Sequence, residues 1–187
     1  MNTYDLIAFD MDGTLLDDRK RILPDSLAAM EEAAARGRLV TLATGRGLPE
    51  LSTYLPQLSM VRYLILNSGA LVLDRQRNEP LAAHPLSNEV LRELQARLAG
   101  EDVMIHALSE ESVARADQVL RMGDYHMEAY QALFEAVARR TEDVLAWALR
   151  TGAPVYKLNL YCRSADQRPM LFLQGGDGGL FVRSVGD

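Results

Sequence analysis

Two acidic residues one position apart are the feature of the sequence most suggestive of chemistry. The segment FDMDGTLLDD at 9–18 places Asp10 and Asp12 directly after an apolar run. Residues i and i+2 of an extended chain point the same way, so both carboxylates would address one small volume while Met11 turns toward the core. Gly13 permits a tight turn. Such a pair suits phosphoryl transfer, in which one acid attacks phosphorus, the other moves a proton and a divalent cation offsets the negative charge.

A simpler alternative is that both aspartates only form Asx turns at the end of a strand, as many loop aspartates do. The full pattern D-x-D-G-T favours chemistry instead, because typical residue usage produces it by chance about once in a thousand chains of this length. The strand context makes a chance occurrence rarer still.

The elements that must position this pair follow from the order of apolar runs. The first run, YDLIAF, is short and is typical of a parallel strand buried on both faces. The predicted elements that follow alternate between helix and strand: 24–36 helix, 38–44 strand, 49–55 helix and 63–67 strand. This alternation predicts right-handed crossovers and a doubly wound parallel sheet, so the first seventy or so residues form half of an α/β domain.

The pattern changes after residue 69. ALVLD and PLAAH flank a polar turn and predict a hairpin, and we place a domain boundary near Asp74, between a 1–74 unit and a 75–187 α+β unit. Further predicted elements are a helix capped by Ser87 and ended by Gly100, a strand at 102–108, helices at 127–139 and 142–150, and strands at 154–162 and 179–185.

Composition limits the partners of the chain. With 187 residues, 48% apolar and 25% charged, it is an ordinary globular protein. A formal charge of -6 without a visible basic cluster disfavours nucleic acid. No run approaches the roughly 20 apolar residues of a membrane span, and no secretory signal is visible. These features and the single cysteine, Cys162, predict a cytoplasmic protein with no membrane partner.

Two motifs resemble those of one family. FDMDGTLLD is similar to motif I of the haloacid dehalogenase (HAD) superfamily, and TLATGR at 41–46 is similar to its motif II. The hairpin after LILNSGA and the strand VYKLNLYC narrow the resemblance to the Cof-type branch, whose large C2-type cap is inserted after the third core strand. The resemblance implies an α/β fold with a partial HAD-like (Rossmannoid) parallel core and an α+β cap domain.

The resemblance also implies a Mg²⁺-dependent phosphatase acting on a small phosphorylated metabolite. Asp10 would be the nucleophile that forms an aspartyl-phosphate, and Asp12 the acid that protonates the leaving oxygen and then activates water. The Asp10 carboxylate and the Asp12 backbone carbonyl would ligate Mg²⁺, while Thr44 would hydrogen-bond the transferred group. Arg46 is predicted to bind substrate at the rim, the alternative being an ordinary surface charge.

Lys157 and Asn159 share the polar face of a predicted cap strand, which in this family can overlook the cleft. Lys157 is therefore a candidate substrate-binding residue, and the alternative is an outward, solvated face. Ser68 stands where many Cof-like proteins carry Asn, and this departure argues against substrate contact by Asn67 or Ser68. The three histidines, at 84, 106 and 126, lack metal-ligand spacing and are predicted to be structural or exposed.

The resemblance implies elements that do not follow in this sequence. A complete member would continue with a phosphoryl-stabilising lysine and a strand ending in G-D-x-x-N-D, so the C-terminal half of the core is expected to be absent. Asp177 in MLFLQGGDGG could imitate that strand end, but a glycine-rich turn fits better. An unpaired edge on the first strand would favour self-association. The alternatives to a phosphatase are a non-catalytic binding protein with the same fold, and a phosphomutase.

Overall fold

The computed structural model describes residues 4–164 and 166–167, which form two sheets with helices packed against them. The first sheet has the strand order β1-β2-β3-β4-β5. Its strands are β1 Leu6–Phe9, β2 Leu39–Ala43, β3 Tyr63–Leu66, β4 Leu71–Asp74 and β5 Glu79–Ala83. The first three are parallel, whereas β4 and β5 are antiparallel to their neighbours. The predicted α/β fold is therefore confirmed.

Helix α1, Pro24–Ala35, makes the crossover between β1 and β2. Proline suits its first position, where the missing N–H has no helical partner. The chain turns at Gly37, whose φ of +76° is one that glycine adopts without a steric penalty. Buried residues beneath the helix and sheet include Met30, Leu42 and Leu64, so the hydrophobic core of this unit lies against the parallel strands.

The predicted helix at 49–55 is replaced by two 3-10 turns, Leu48–Leu51 and Leu55–Gln57. The prolines explain this difference. Pro49 and Pro56 each lie at the start of a turn and neither can donate a backbone hydrogen bond, so an α-helix through both would be broken.

The prediction that the first strand is buried on both faces is wrong. Leu6 is 51% exposed, and within the described residues β1 pairs with β2 only. A strand with one neighbour leaves one row of backbone groups and adjacent side chains uncovered. The expected unpaired edge is therefore present in the described part of the sheet.

The second sheet has the strand order β8-β7-β6-β9. Its strands and the helices around it are α2 Asn88–Arg97, β6 Met104–Leu108, β7 Ser112–Arg115, α3 Ala116–Val119, α4 Gln131–Val137, β8 Ala138–Thr141, α5 Val144–Thr151 and β9 Lys157–Tyr161. Apolar side chains of α2 and α5 pack with this sheet in a second core that includes Leu91, Leu94 and Trp147. Ser87 caps α2 by accepting a hydrogen bond from the Val90 N–H, as predicted.

Two strands of this sheet were not predicted. The predicted helix at 127–139 includes Ala138 and Arg139, because alanine and arginine favour helices. These two residues instead begin β8, which pairs in parallel with β7, and inter-strand hydrogen bonding outweighs the local preference. Helix α4 is correspondingly shorter than predicted.

The predicted boundary near Asp74 falls inside the β4–β5 hairpin, which hydrogen-bonds into the first sheet. The division into 1–74 and 75–187 units stays a prediction. The predicted strand at 179–185 and the candidate acid Asp177 lie outside the described residues. No helix in the described part of the chain has the length and apolar character to cross a bilayer.

Candidate active site

The acidic pair lies in a tight turn at the end of β1. Met11 is fully buried, whereas Asp10 and Asp12 on either side of it are exposed, in agreement with the predicted alternation. The Met11 carbonyl accepts hydrogen bonds from the backbone N–H groups of the next turn, including Leu16 at 2.9 Å. Gly13 has a φ of +77°, which explains why glycine follows the second acid.

Asp12 is held by two cations. Arg46 donates to both of its carboxylate oxygens, from Nε at 2.8 Å and from Nη2 at 2.9 Å, and Lys20 Nζ lies 2.7 Å from Oδ1. The hydrogen bond from Arg46, reinforced by that from Lys20, lowers the pKa of Asp12 to about 2 despite partial burial, which acts in the opposite direction. Asp12 is therefore ionised at neutral pH in this arrangement.

Asp10 has a different environment. Its carboxylate makes no hydrogen bond or ion pair with any residue that the structure describes, and the side chain is exposed. Neither Asp10 nor Asp12 accepts a bond from a nearby backbone N–H, so within the described residues the Asx-turn alternative is wrong. An uncommitted carboxylate beside a fixed one is consistent with an attacking group next to a proton-transferring group.

Arg46 and Thr44 lie on the turn after β2. The side chain of Arg46 is only 11% exposed, so the alternative of a free surface charge is wrong. Thr44 is 5% exposed, and its Oγ accepts a hydrogen bond from the Arg46 N–H at 3.2 Å. Its hydroxyl proton is not donated to any described residue. Thr44 therefore has a donor available for an oxyanion.

The turn after β3 runs beside the Thr44 turn. The Asn67 N–H donates to the Arg46 carbonyl at 3.0 Å, and the Ser68 N–H donates to the Thr44 carbonyl at 3.1 Å. Asn67 and Ser68 have φ values of +53° and +59°, a left-handed conformation that is uncommon outside glycine. Asn67 is 2% exposed, and neither its amide nitrogen nor its amide oxygen has a hydrogen-bond partner among the described residues.

Lys157 reaches these turns from the second sheet. It is paired with Leu108 in the β6–β9 register, and its Nζ donates to the Gly45 carbonyl at 3.0 Å and to Ser68 Oγ at 3.1 Å. Burial lowers the pKa of Lys157, while the charge of Glu50 acts in the opposite direction. The alternative of an outward, solvated face is therefore wrong for this residue.

Two glycines allow this close approach. A Cβ on Gly45 would lie 3.1 Å from Lys157 Nζ, and a Cβ on Gly47 would lie 3.0 Å from Leu108 Cδ2 and 3.3 Å from Asn67 Oδ1. Glu50 is buried behind this turn and accepts a hydrogen bond from the Gly47 N–H at 2.8 Å. Burial raises the pKa of Glu50.

Asn159 and the histidines do not form a metal site. Asn159 Nδ2 lies 3.3 Å from Nδ1 of the buried His106, whose Nε2 lies 2.7 Å from Ser112 Oγ. Desolvation, with a smaller contribution from Lys157, lowers the pKa of His106 to about 3, so this side chain is neutral and structural. His84 and His126 are exposed, as the sequence allowed.

No group of three or more His, Cys, Asp or Glu side chains in the described part of the chain is arranged to hold a metal ion. The donors at the acidic turn nevertheless fit Mg²⁺ chemically. This ion prefers hard oxygen ligands and is often bound by only one or two protein carboxylates, with water and phosphate oxygens completing its shell. The uncommitted Asp10 carboxylate is such a donor.

Comparison with known proteins identifies the family. Residues 7–158 match the model of the haloacid dehalogenase-like hydrolases, and the chain belongs to that family. It is 35% identical over 108 residues to an HMP-PP phosphatase of Serratia proteamaculans, covering 58% of this chain and 39% of that protein. It is 37% identical over 73 residues to the 5-amino-6-(5-phospho-D-ribitylamino)uracil phosphatase YcsE of Bacillus subtilis, covering 39% and 29% of the two chains.

The fold agrees with this assignment. A haloacid dehalogenase-like hydrolase from Bacteroides thetaiotaomicron superposes with a TM-score of 0.63 at 22% identity, covering 77% of this chain and 54% of the other. The predicted family is confirmed. The chain spans well under half of the length of the two phosphatases named above, 39% and 29%.

The residues predicted from the sequence lie on the turns after β1 and β2 and on strand β9: Asp10, Asp12, Thr44, Arg46 and Lys157. Lys20 was not predicted, and the sequence argued against substrate contact by Asn67, whose buried amide has no partner among the described residues. Lys20 lies in the run DRKR, which gives no reason to choose one cation over its neighbours.

Proposed function

We propose that the chain carries the phosphoryl-transfer site of a Mg²⁺-dependent phosphatase that hydrolyses a small phosphorylated metabolite through an aspartyl-phosphate intermediate. One observation carries this proposal: the free carboxylate of Asp10 stands at the same turn as Asp12, which two cations hold ionised. Thr44, with an available hydroxyl proton, follows the neighbouring strand.

In the first half of the reaction, an Asp10 carboxylate oxygen attacks phosphorus and the bond to the substrate oxygen breaks. The leaving oxygen takes a proton from Asp12. In the second half, Asp12 accepts a proton from water, whose oxygen attacks the phosphorus of the aspartyl-phosphate and releases phosphate with Asp10 restored. Thr44 donates its hydroxyl proton to a phosphoryl oxygen, where negative charge is concentrated.

The proton on Asp12 requires a change in its surroundings. With Arg46 and Lys20 bound to it, the pKa of Asp12 is about 2, which suits a base but not an acid. A phosphate dianion offers both cations another partner. Their movement toward substrate would weaken the interactions that hold Asp12 ionised and raise its pKa. We therefore assign Arg46 and Lys20 to substrate binding as well as to positioning Asp12.

Mg²⁺ would be held by the Asp10 carboxylate and the Asp12 backbone carbonyl, with phosphate and water oxygens as further ligands. When bound, it neutralises charge on the phosphoryl group and lets the Asp10 carboxylate approach an anion. The chain would work in the cytoplasm, because its single cysteine fits a reducing compartment.

A non-catalytic binding protein with the same fold is the second candidate. It is favoured by the lack of a third acid beside Asp10 and Asp12 in the part of the chain that the structure describes. Such a protein would bind a phosphorylated ligand through Arg46, Lys20 and Thr44 without turnover. A phosphomutase would share the first half-reaction but release little inorganic phosphate.

The test measures release of inorganic phosphate from a panel of small phosphate esters with and without Mg²⁺. Asp10→Asn should lower the rate at least about a thousandfold, because it removes the nucleophile. Asp18→Asn is the matched control, since Asp18 is an exposed acid of the same segment. Equal rates for wild type and Asp10→Asn would reject the phosphatase, and stoichiometric binding without turnover would select the binding protein.

A further inference from the structure

A second polar site adjoins the acidic turn, where β9 of the second sheet meets the turns after β2 and β3. We infer that this site, formed by Lys157, Ser68 and Asn67, binds a second anionic group on the part of the substrate that is not transferred. The inference rests on the proposed function, which it deepens by naming a substrate class: phosphate monoesters that carry a carboxylate or a further phosphate.

The hydrogen bonding of Lys157 is incomplete. An ammonium group has three donors, and Lys157 uses two of them, on the Gly45 carbonyl and the Ser68 hydroxyl. Both acceptors are neutral, and no carboxylate of the described residues lies within ion-pair distance of Nζ. The partly desolvated ammonium therefore retains a donor and a charge that an anion would satisfy.

Glu50, whose charge acts on Lys157, does not fill this role. Glu50 interacts with Lys157 electrostatically, but its carboxylate is buried and accepts the Gly47 N–H. Burial also raises the pKa of Glu50 and so disfavours its charged form. Lys157 thus differs from Arg46 and Lys20, which both contact the carboxylate of Asp12 directly.

Asn67 supplies an independent indication of a ligand. Its side-chain amide is buried, yet both the donor nitrogen and the acceptor oxygen lack partners in the described structure. Leaving such groups unsatisfied costs about 1–3 kcal/mol each, so native structures rarely do so without a reason. A polar ligand that hydrogen-bonds to this amide would remove that cost.

Glycines open the space next to these groups. The Cβ that Gly45 lacks would lie 3.1 Å from Lys157 Nζ and 3.4 Å from Ser68 Oγ, and the Cβ that Gly47 lacks would lie 3.3 Å from Asn67 Oδ1. Side chains at these two positions would crowd the polar groups. The backbone of the turn can therefore lie close to a small anion.

The position of the site defines which part of the substrate it would meet. Gly45 lies between Thr44, which is assigned to the transferred phosphoryl group, and Arg46, which holds Asp12. An anion bound at Lys157 is therefore next to the phosphoryl site, although the ammonium group that binds it comes from the second sheet. That placement fits an anion on the leaving alcohol, a few atoms away from the ester oxygen.

The test measures binding to Asp10→Asn by titration calorimetry, so that turnover does not interfere. Glucose 6-phosphate and 6-phosphogluconate are compared because the acid carries an additional carboxylate, and fructose 1,6-bisphosphate provides a second phosphate. A charge-assisted hydrogen bond in such a setting corresponds to about tenfold to a hundredfold in affinity. We expect both ligands with a second anionic group to bind more tightly than glucose 6-phosphate by that factor, and the ligand with the larger gain identifies the preferred anion.

Lys157→Met, introduced into the same Asp10→Asn background, should abolish this preference. Arg150→Met is the control, because Arg150 is an exposed cation in the last turn of α5. Lys157→Arg should keep the preference, because it keeps the positive charge. This variant also serves as the test if the methionine variant fails to fold. Loss of the preference in a folded arginine variant would count against the site. Equal affinities in the parent, a preference that survives Lys157→Met, or no binding of any ligand would overturn the inference.

Asn67→Gly tests the amide separately, because glycine adopts the left-handed backbone of Asn67 without strain. The preference for the acid should fall several-fold, and an unchanged preference would remove Asn67 from the site. The outcomes for the two proposals are distinct. Selective binding without any phosphate release rejects the phosphatase and keeps the anion site, whereas phosphate release with equal affinities does the reverse.

Discussion

Arg46 and Lys157 lie on two sides of the same turn, and their partners differ in kind. Arg46, together with Lys20, contacts a carboxylate, and its charge is balanced within the protein. Lys157 contacts a carbonyl and a hydroxyl, and its charge is not balanced by any described carboxylate within ion-pair distance. The comparison teaches that a cation bound to a carboxylate also sets the pKa of that acid, whereas a cation bound only to neutral groups keeps its charge for a ligand.

The largest expected effect is the loss of activity when Arg46 is replaced. Arg46→Met removes the bidentate hydrogen bond to Asp12 and a cation next to the phosphoryl site. We expect kcat/KM for a phosphate monoester to fall about a hundredfold, in line with loss of one preorganised stabilising group. Lys20→Met should have a smaller effect, because Lys20 makes one contact and is half exposed. If the two variants lose equal activity, the special role of Arg46 is wrong.

The next effect is on the stability of the second sheet, which carries both Lys157 and the buried His106. The pKa of the buried His106 is about 3, below its value of 6.5 in an unfolded chain, so between these pH values the unfolded state binds more protons. The contribution of His106 to the free energy of unfolding is therefore fully present above pH 6.5 and is lost as the pH falls from 6.5 toward 3. Between pH 7 and pH 5 the free energy of unfolding should drop by about 2 kcal/mol.

Urea denaturation at several pH values checks this prediction. His106→Gln cannot take up the proton, so its free energy of unfolding should change less between pH 7 and pH 5, whatever its absolute stability. A slope that is the same in wild type and variant would show that another group is responsible.

A smaller effect on stability is expected at Gly47, where the turn after β2 contacts Leu108 of the second sheet. Gly47→Ala places a Cβ 3.0 Å from Leu108 Cδ2 and 3.3 Å from Asn67 Oδ1. The crowding should cost about 1–2 kcal/mol in unfolding free energy. Gly123→Ala is the control, since a Cβ there would meet no atom within 4 Å. Thermal denaturation of both variants measures the difference, and equal melting temperatures would argue against tight packing at this contact.

The smallest effect on stability concerns the free edge of β1. Leu6 is 51% exposed at this edge, and we predict self-association through it. Leu6→Lys should leave the free energy of unfolding within about 0.5 kcal/mol but shift the protein toward monomer, because charge on an edge strand opposes pairing. Sedimentation velocity measures the distribution, and a wild-type protein that is monomeric at high concentration would contradict the prediction.

The parts of the site that the sequence predicted are those whose partners are close in sequence or follow successive strands. Asp10 and Asp12 could be placed from one turn, and Thr44 from the end of the next parallel strand. The contact of Lys157 with Ser68 joins residues 89 positions apart, and it depends on how the second sheet lies against the first. No local pattern carries that information.

The fold shows the same limit. The parallel strands and α1 follow from apolar runs, a proline and a glycine. β8 does not, because residues 138 and 139 favour a helix on their own and become part of a strand only beside β7. The role of the buried Asn67 amide could not be predicted either, since asparagine in a turn usually indicates only a backbone conformation.

The register of β9 against β6 has a consequence for insertions and deletions. Lys157 lies opposite Leu108, and side chains along a strand alternate between faces. Removing one residue from the start of β9 would put its neighbour at this position and turn the ammonium group to the other face of the sheet. Length changes in this strand are therefore compatible with the anion site only in steps of two, whereas the loops on either side are free of that parity.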